Sequence, residues 1–496
     1  MGYWLGLDCG GTFIKAGIYD ERGREQGIAR RNLDVISRHP GWLERDMDQL
    51  WQKAATVIRE ALSASRLPAS VIAGVGVSAQ GKGAYLLDKQ CKPLRDGILS
   101  SDQRALELVR GWQAEGVPAQ LYKDTLQTLW TGHPASLLRW LKDNERDNYD
   151  RIGAVLMAHD YLRFRLAGVV GCEVTNISES NLYNMHTGAY DPALAEKLGI
   201  GEVIEKMPPI VGSSEIVGGV SAEAAEATGL AAGTPVVGGL FDVVSTALCA
   251  GIDDETRVNA VMGTWSVTTG VVSAIRRFDD YPFVHGRHAE PGYFIIHEAS
   301  PTSAVNLEWI AQRFGGTENK LDYGLINREV GALPKAASSV FFLPFVFGTN
   351  AGLGMKGGFY GMQALHERGH LLQAVYEGVV FSHYTHLKRI LRCFPETGAL
   401  RITGGPAHSD VWMQIFADCA GLPVELPQVE ETGCLGAALA AAVGTGTFSD
   451  FFTAIKAVRP EMRTIEPDLK AHELYQEKFG RYLELIDCLR AFEKIA

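Results

Sequence analysis

Apolar runs of strand length alternate with amphipathic helical segments along the whole chain. In the segment 46–65, apolar residues from Met47 to Leu62 recur at helical spacing, and Asp46 before them is a natural N-cap. Strand-like runs occupy residues 4–7, 14–19, 71–81, 234–242, 258–272, 340–348 and 400–405. Further helical patterns lie at 371–394, 409–421 and 433–446. This alternation predicts an α/β fold.

The pattern of one hairpin occurs twice, about half the chain apart. Residues 5–20 (LGLDCGGTFIKAGIYD) and 259–272 (NAVMGTWSVTTGVV) both consist of an apolar strand, a Gly-Thr turn and a second apolar strand. Their separation of about 250 residues predicts a duplicated domain, with domains at 1–250 and 251–496. A chance likeness between two common hairpins is the alternative.

Length and charge limit the classes of protein that fit. A chain of 496 residues exceeds what one hydrophobic core usually serves, which agrees with two domains. The net charge of −11 argues against nucleic acid or an anionic membrane as a partner. The 8 cysteines form no C-x-x-C pair, no apolar run is long enough to span a bilayer, and the N-terminus lacks a signal-peptide pattern. We therefore expect a soluble cytoplasmic protein with reduced thiols.

The first Gly-Thr turn combines groups that suit a bound phosphate. Gly10, Gly11 and Thr12 follow Asp8 at the end of an apolar strand, and Lys15 lies in the next strand. Peptide N–H groups in such a turn can converge on an anion, because glycine lets a phosphate approach the chain closely. Asp8 beside those phosphates would hold Mg²⁺, which prefers oxygen ligands. The alternative is an ordinary reverse turn, in which the glycines serve only the backbone conformation.

Two further glycine turns, in the second half of the chain, predict nucleotide contacts. Gly263 and Thr264 repeat the first turn, so that the two turns could hold a polyphosphate between the domains. Gly404 and Gly405 connect a strand to a helix, where the absence of side chains suits a flat base and ribose. Neither Gly-Thr turn is a Walker A loop. Strand–Gly-Gly–helix junctions are common, so a purely structural connection is the alternative.

Phosphoryl transfer to an alcohol needs a group that accepts the hydroxyl proton, and Asp242 is the candidate. It ends the apolar run PVVGGLFD and begins a helical pattern, so a helix cap is the alternative. Gln80 and Lys82 follow a strand and offer polar contacts to a sugar, although such residues are often solvated loop residues. His133 and His159 are further candidates for substrate contact, with a hydrogen-bonded structural role as the alternative.

Taken in order, five motifs resemble those of the FGGY family of carbohydrate kinases, within the superfamily of actin-like ATPase folds. They are GLDCGGTFIKAGIYD (6–20), GGLFDVVSTALCAG (238–251), MGTWSVTTG (262–270), TGGPAHSDVWMQIFADCAGLPVE (403–425) and EETGCLGAALAAAVGTG (430–446). Each motif is weak alone, but their order and spacing extend over nearly the whole chain. The resemblance implies two actin-like (ribonuclease H-like) α/β domains related by duplication, with a ligand cleft between them.

The resemblance also implies a reaction and roles for particular residues. ATP and Mg²⁺ would serve the transfer of the γ-phosphoryl group to a ketopentose hydroxyl, with Asp242 as the catalytic base. Asp8 and Asp242 would lie at the metal. The residues implied near the nucleotide are Thr12, Gly263, Thr264, Gly405 and Ser409. Likeness to the family further suggests a homodimer.

Within the family, four stretches most resemble the bacterial members that phosphorylate L-xylulose: PGWLERDMDQLWQ, VSAQGKGAYLLD, LWTGHPASLLRWLK and NISESNLYNM. At Gly81 and Lys82 the chain departs from glycerol kinases, which carry Arg-Glu there, and from D-xylulose kinases, which carry Met-His. L-Xylulose is therefore the expected substrate, and another pentulose, a pentitol or glycerol are the alternatives. Alternatives of a different class are an actin-like or Hsp70-like nucleotide switch and an inactive kinase scaffold.

Overall fold

The computed structural model describes residues 2–263, 265–314, 322–352, 354–429 and 431–493, which divide into two compact units. The first unit consists of the chain up to Asp253, Val272–Ile295 and Glu431–Arg459. The second consists of Asp254–Val271, Ile296–Glu430 and the chain from Pro460. Two segments from beyond residue 250 therefore pack within the first unit, and the division of the chain into 1–250 and 251–496 stays a prediction.

Strands and helices alternate in both units, as the apolar pattern predicts. The strands are β1 (Tyr3–Cys9), β2 (Phe13–Asp20), β3 (Glu25–Asn32), β4 (Glu44–Arg45), β5 (Ile72–Ala79), β6 (Tyr85–Asp88), β7 (Gly97–Ile98), β8 (Ile152–Leu156), β9 (Cys172–Glu173), β10 (Tyr183–Asn184), β11 (Ala189–Tyr190), β12 (Ile210–Val211), β13 (Ile216–Gly219), β14 (Pro235–Val237), β15 (Leu240–Phe241), β16 (Arg257–Met262), β17 (Ser266–Val272), β18 (Val284–Arg287), β19 (Phe294–Ser300), β20 (Phe341–Leu343), β21 (Gly358–Tyr360), β22 (Ala399–Thr403), β23 (Val424–Pro427) and β24 (Met462–Ile465).

The α-helices are α1 (Met47–Ser65), α2 (Leu106–Ala114), α3 (Val117–Thr125), α4 (Pro134–Asn144), α5 (Arg146–Arg151), α6 (Ala158–Ala167), α7 (Val174–Ile177), α8 (Pro192–Lys197), α9 (Ala222–Thr228), α10 (Asp242–Cys249), α11 (Val305–Phe314), α12 (Tyr323–Gly331), α13 (Arg368–Ile390), α14 (Asp410–Ala420), α15 (Thr432–Gly444), α16 (Phe451–Ala457) and α17 (Leu469–Glu493). Short 3₁₀ helices lie at Ala69–Val71, Gly201–Lys206 and Gly405–His408. Within the described ranges, no helix combines the length and the apolar character that crossing a bilayer requires.

Local sequence signals predict several elements correctly and two strands with the wrong extent. The predicted strand 234–242 is interrupted at Gly238 and Gly239, between β14 and β15. Asp46 caps α1, since its carboxylate accepts a hydrogen bond of 2.8 Å from the N–H of Gln49. The predicted strand 340–348 is wrong in length, because β20 ends at Leu343. There the chain turns, and the N–H of Phe345 donates to the carbonyl of Leu343 at 2.9 Å.

The sheet of the first unit has the strand order β13-β14-β5-β1-β2-β3, and β15 pairs with the end of β5. β1, β5 and β15 are parallel, with Cys9 opposite Ala79 and Ala79 opposite Phe241. The carboxyl ends of parallel strands meet at one edge of a sheet, where α/β proteins bind ligands. The residues that follow these three strands, among them Gly10, Gln80 and Asp242, therefore share that edge.

The sheet of the second unit repeats this arrangement. Its strands β17-β16-β22-β23-β24 correspond in order to β2-β1-β5-β14-β13. The directions also agree: an antiparallel hairpin, two parallel steps and an antiparallel edge strand in each sheet. The hairpins β1–β2 and β16–β17 are thus equivalent, which supports the predicted duplication.

Helix α15 covers the first sheet at very short distance because glycines face it. A Cβ atom placed on Gly6 of β1 would lie 1.8 Å from the carbonyl oxygen of Cys434. A Cβ atom on Gly76 of β5 would lie 2.0 Å from the carbonyl oxygen of Ala437. Any larger residue at either position would push the helix away. The two glycines therefore let the start of α15 reach the edge where the candidate site lies.

Candidate active site

Asp8 lies near the carboxyl end of β1 with one carboxylate oxygen unpaired. It stands opposite Lys15 of β2 and opposite Ser78 of β5. Its Oδ1 atom is buried and has no hydrogen-bond partner among the described residues. Burial raises the pKa of Asp8 to about 6, against the opposing charge of Lys15, while Glu431 adds to the rise. Ser78 lowers this pKa through its side chain, and the unpaired oxygen keeps the capacity to bind a ligand.

Asp242 is the first residue of α10 and does not occupy the cap position of that helix. The N-cap is Phe241, and no side-chain cap bond is made there. Burial raises the pKa of Asp242 to about 8, and the charge of Asp8 adds to the rise, whereas Lys82 lowers it. A carboxylate whose pKa is raised in this way is a better proton acceptor than an ordinary one.

The two carboxylates fit a hard divalent cation. Asp8 and Asp242 lie close enough that the negative charge of Asp8 opposes the ionisation of Asp242. A cation between them would stabilise the ionised form of both carboxylates. In the described parts of the chain, no cluster of three or more His, Cys, Asp or Glu residues could hold a metal by itself. Mg²⁺ commonly takes only one or two protein carboxylates and completes its shell with phosphates and water. The donor set therefore suits Mg²⁺ together with a phosphate.

The first Gly-Thr turn presents its backbone outward. Gly11 and Thr12 are exposed, whereas the N–H of Gly10 is used within the turn and donates to Phe13 at 3.0 Å. The backbone N–H of Gln80 donates to the carbonyl of Cys9 at 3.0 Å, which fixes the end of β5 beside the turn. The turn and Gln80 thus lie beside each other, while the ligands predicted for them stay predictions.

Lys82 is held in place by its backbone and by its side chain. Its φ of 63° lies in the left-handed region, and its N–H donates to Asn176 Oδ1 at 2.8 Å. Its ammonium lies 2.6 Å from Glu179 Oε2, and the side chain of Glu179 is fully buried. The ammonium also lies 5.2 Å from the centre of the Phe241 ring, next to Asp242. The predicted sugar residue and the predicted base are therefore neighbours.

His133 lies close to the Lys82 segment, because the N–H of Gly83 donates to the carbonyl of Gly132 at 2.9 Å. The imidazole is only 2% exposed. Its Nδ1 lies 2.5 Å from the amide nitrogen of Asn181. The structure thus gives His133 a fixed orientation, and its contact with a substrate stays a prediction.

A buried polar network supports Asp242 and Lys82 from behind. The hydroxyl of Thr175 accepts the N–H of Phe241 at 2.9 Å and donates to Glu173 Oε2 at 2.6 Å. The amide of Asn176, which holds Lys82, donates to His159 Nδ1 at 3.3 Å. His159 is fully buried within this network, which favours the structural alternative, and its contact with a substrate stays a prediction.

The start of α15 lies against Asp8. A Cβ atom on Gly433 would stand 2.3 Å from Cγ of Asp8. Ser245 of α10 donates to the carbonyl of Gly433 at 3.1 Å, which ties α15 to the helix that carries Asp242. The ammonium of Lys15 lies 2.6 Å from Glu431 Oε2. The charge of Lys15 is thus already paired, and its predicted contact with the nucleotide stays a prediction.

The predicted nucleotide turns of the second unit also follow neighbouring parallel strands, β16 and β22. Gly404 has a φ of 103°, and a Cβ atom there would lie 2.2 Å from the carbonyl oxygen of Met262. Gly405 is exposed, with no atom within 4 Å of a Cβ atom placed on it, which leaves room for a ligand. Gly263 follows β16 directly. Thr264 lies outside the described residues.

Ser409 has a structural task in the second unit. Its hydroxyl accepts the N–H of Trp412 at 3.2 Å as the N-cap of α14, and it donates to Asn327 Oδ1 at 2.7 Å. The predicted proximity of Ser409 to the nucleotide is compatible with this cap, since a capping hydroxyl fixes the start of a helix, but it stays a prediction.

Residues 3–249 match the N-terminal domain, and residues 258–445 the C-terminal domain, of the "FGGY family of carbohydrate kinases". The chain belongs to this family. It is 59% identical to an L-xylulose/3-keto-L-gulonate kinase of Escherichia coli, over 99% of this chain and 98% of that protein. It is 56% identical to a probable L-xylulose kinase of Pasteurella multocida, over 99% and 100%. A xylulose kinase structure from Rhodospirillum rubrum superimposes with a TM-score of 0.87 at 26% identity, with 99% of each chain covered.

Membership confirms the predicted fold and the predicted enzyme class. The protein is a carbohydrate kinase with two α/β domains, and FGGY kinases use ATP. The switch-protein alternative does not fit a chain that matches kinases along its whole length.

Sequence reasoning missed several residues of this FGGY kinase that the structure brings to the site. Thr175, Asn176 and Glu179 lie in a stretch whose only signal is its likeness to relatives. Glu431 and Gly433 lie in a motif whose glycine indicates close packing, but the partner of that glycine cannot be read from the sequence. Each of these contacts joins segments that are distant along the chain.

Proposed function

We propose that this FGGY kinase transfers the γ-phosphoryl group of ATP to a hydroxyl group of L-xylulose. The observation that carries the reaction type is the placement of Asp242, with its raised pKa, at the strand edge that also carries Asp8 and the Gly10–Thr12 turn. The substrate is supported by relatives of 52–59% identity over nearly the full chain, each with L-xylulose kinase in its name or as one of its names.

In this proposal Asp242 orients the acceptor hydroxyl and takes its proton. Burial and the charge of Asp8 raise the pKa of Asp242 to about 8 in the absence of a metal, and a cation bound beside the two carboxylates would favour the ionised form that can accept the proton. Asp8 and Asp242 would hold Mg²⁺, which when bound neutralises charge on the phosphates. The exposed N–H groups of Gly11 and Thr12 would receive a phosphate oxygen.

Gln80, Lys82 and His133 are proposed to bind the sugar, since they lie on segments adjoining Asp242. Glu179 neutralises the ammonium of Lys82 at 2.6 Å. Together, Lys82 and Glu179 carry no net charge but still offer hydrogen-bond donors and acceptors. Such a site suits a neutral ketopentose, with its hydroxyl and keto groups, better than it suits an acidic sugar. Gly263, Thr264, Gly404, Gly405 and Ser409 are proposed to contact the nucleotide.

The experiment is a coupled assay of ADP release with L-xylulose, D-xylulose, pentitols, glycerol and 3-keto-L-gulonate. We expect the highest kcat/KM for L-xylulose, by at least about tenfold over its epimer, because unpaired polar groups in the site penalise the wrong configuration. ADP release that does not depend on any added sugar would contradict the proposed reaction. A preference for 3-keto-L-gulonate would keep the reaction but overturn the proposed substrate.

Assembly and location are proposed on the likeness to the family alone. We expect a cytoplasmic homodimer, and light scattering coupled to gel filtration measures the mass directly. A mass of about 54 kDa, that of one chain, would contradict the dimer.

A further inference from the structure

Arg45 is a buried arginine directly behind the first Gly-Thr turn. It ends the short strand β4 and is 1% exposed. Its Nη2 donates to the carbonyl of Gly11 at 2.7 Å, and its Nη1 lies 3.4 Å from the carbonyl of Gly10. Further contacts are Nε with the carbonyl of Asp34 at 3.4 Å and Nη1 with the sulfur of Cys9 at 3.8 Å. The guanidinium therefore lies among backbone carbonyls, a thiol and the buried phenol of Tyr85, with which it also interacts.

The charge of Arg45 has no carboxylate partner among the described residues. Two acids of neighbouring segments are already paired: the Asp34 carboxylate lies 2.6 Å from Lys53, and Glu44 pairs with Arg38, Arg95 and Arg104. Asp8 and Asp242 act on Cys9 together with Arg45, but neither forms an ion pair with Arg45. A buried charge without a counter-charge is costly, and buried charges in proteins are usually paired.

The contacts of Arg45 also determine the direction of the backbone N–H groups of the turn. In a trans peptide, the carbonyl of one residue and the N–H of the next point in opposite directions. With the carbonyls of Gly10 and Gly11 directed at Arg45, the N–H groups of Gly11 and Thr12 point to the opposite, exposed side. Within the described ranges, no acceptor is bonded to either N–H. The turn thus carries two unfilled donors, and a cation without a carboxylate partner lies behind it.

We propose that Arg45 is a positioning residue that holds the Gly10–Thr12 turn in an anion-binding conformation and supplies its uncompensated positive charge to the phosphates of the nucleotide. The inference rests on the proposed function, because it takes ATP as the anion that this turn receives. Arg45 acts through the turn, since its guanidinium is bonded to the carbonyl side of the peptides and a phosphate would lie on the N–H side.

The test compares binding of ATP, inorganic tripolyphosphate and adenosine to the wild-type protein, Arg45→Lys and Arg45→Gln by calorimetry. Glutamine carries no charge, and its amide nitrogen takes the place of Nε, so the bond from Nη2 to the carbonyl of Gly11 is lost with the charge. Lysine keeps the charge. We expect Arg45→Gln to weaken ATP and tripolyphosphate about tenfold or more and to leave adenosine within about twofold, as expected for losing a partly buried electrostatic contact. Arg45→Lys should lie between the two proteins.

Arg104→Gln is the matched control, because Arg104 is also fully buried but is paired with Asp102 and Glu44. It should lower the melting temperature without changing the affinity for ATP or tripolyphosphate. An Arg45→Gln protein that binds all three ligands like the wild type overturns the inference, as does an equal loss for adenosine and ATP. Charge-dependent binding of tripolyphosphate by a protein that does not phosphorylate any sugar would support the inference and refute the proposed function.

Discussion

Gly433 at the start of α15 lies against the carboxylate of Asp8 at the end of β1. A Cβ atom at position 433 would stand 2.3 Å from Cγ of Asp8 and 2.5 Å from both of its oxygens. The helix is held at that distance by Ser245, which bonds to the carbonyls of Thr432 and Gly433. The position of the Asp8 carboxylate therefore depends on residue 433 being a glycine, although the two residues are far apart in the sequence.

Gly433→Ala should displace the Asp8 carboxylate and lower kcat on the order of 10²-fold, the cost of a misplacement of about 1 Å at a reacting centre. Steady-state kinetics with saturating sugar and ATP measure the effect. Gly111→Ala is the control, because Gly111 also lies in a helix of the first unit but has no atom within 4 Å of a Cβ atom placed on it. Equal rates for the two variants would show that the position of Asp8 does not limit turnover.

Asp242→Asn should lower kcat by about 10²–10⁴-fold while ATP binding is retained, because asparagine keeps the shape of the side chain but cannot take up the hydroxyl proton. Turnover and calorimetric ATP binding are measured on the same preparation. A variant that keeps more than about a tenth of the wild-type kcat would rule out Asp242 as the base.

Asp8→Asn should fold normally, lose most of kcat and require much more Mg²⁺ for the activity that remains, since an amide is a weaker ligand for Mg²⁺ than a carboxylate. The measurement is activity against free Mg²⁺ for both proteins, with melting temperatures as the control for folding. Superimposable Mg²⁺ curves would refute a role for Asp8 at the metal.

Thr175→Val should leave the buried N–H of Phe241 without an acceptor, at a cost of about 1–3 kcal/mol. Because Phe241 precedes Asp242, we expect kcat to fall several-fold. The KM for the sugar should change less. Thr175→Ser restores the hydroxyl and should restore kcat. If serine and valine behaved alike, the hydroxyl of Thr175 would have no part in positioning Asp242.

The stability of the first unit should decrease below neutral pH because of His288. This residue is 2% exposed, its Nδ1 accepts the N–H of Glu290 at 3.0 Å, and burial lowers its pKa to about 3. The folded state therefore binds fewer protons than the unfolded state between about pH 6.5 and 3, so stability is lost as the pH falls through this range. At pH 5 the loss from this residue is about 2 kcal/mol.

His288→Gln keeps an acceptor for Glu290 and removes the titrating group. Urea unfolding at pH 7 and pH 5 should show a smaller decrease in the free energy of unfolding for the variant than for the wild type. Equal decreases would indicate that His288 does not control this pH dependence.

Local signals predict the elements that carry Asp8, Gly10 and Asp242, because apolar strands that end in an acid or a glycine turn are visible in a few residues. The parallel arrangement that brings these ends together follows from the α/β class. Arg45 could not be predicted, since in the sequence GWLERDMD it resembles an ordinary surface charge. Its burial and its bonds to Gly10 and Gly11 arise only when β4 packs behind the turn.

The wrong extent of the strand at 340–348 has a different cause. Phe345 is buried although it lies outside the strand. An apolar pattern indicates which residues are buried, but it does not indicate the direction of the backbone. The run 234–242 is similarly interrupted at Gly238 and Gly239 between β14 and β15. In both places, the chain turns inside the core, where the residues on either side remain apolar.

The close contact of α15 with β1 and β5 also affects folding of the chain during translation. The glycine-lined face of the first sheet is covered by a helix that leaves the ribosome only after most of the chain has been synthesised. Until then the N-terminal sheet cannot complete its core, and it presents apolar surface during translation. We expect a fragment that ends near Asp253 to aggregate when expressed alone, and co-expression of a segment that includes α15 to return it to solution.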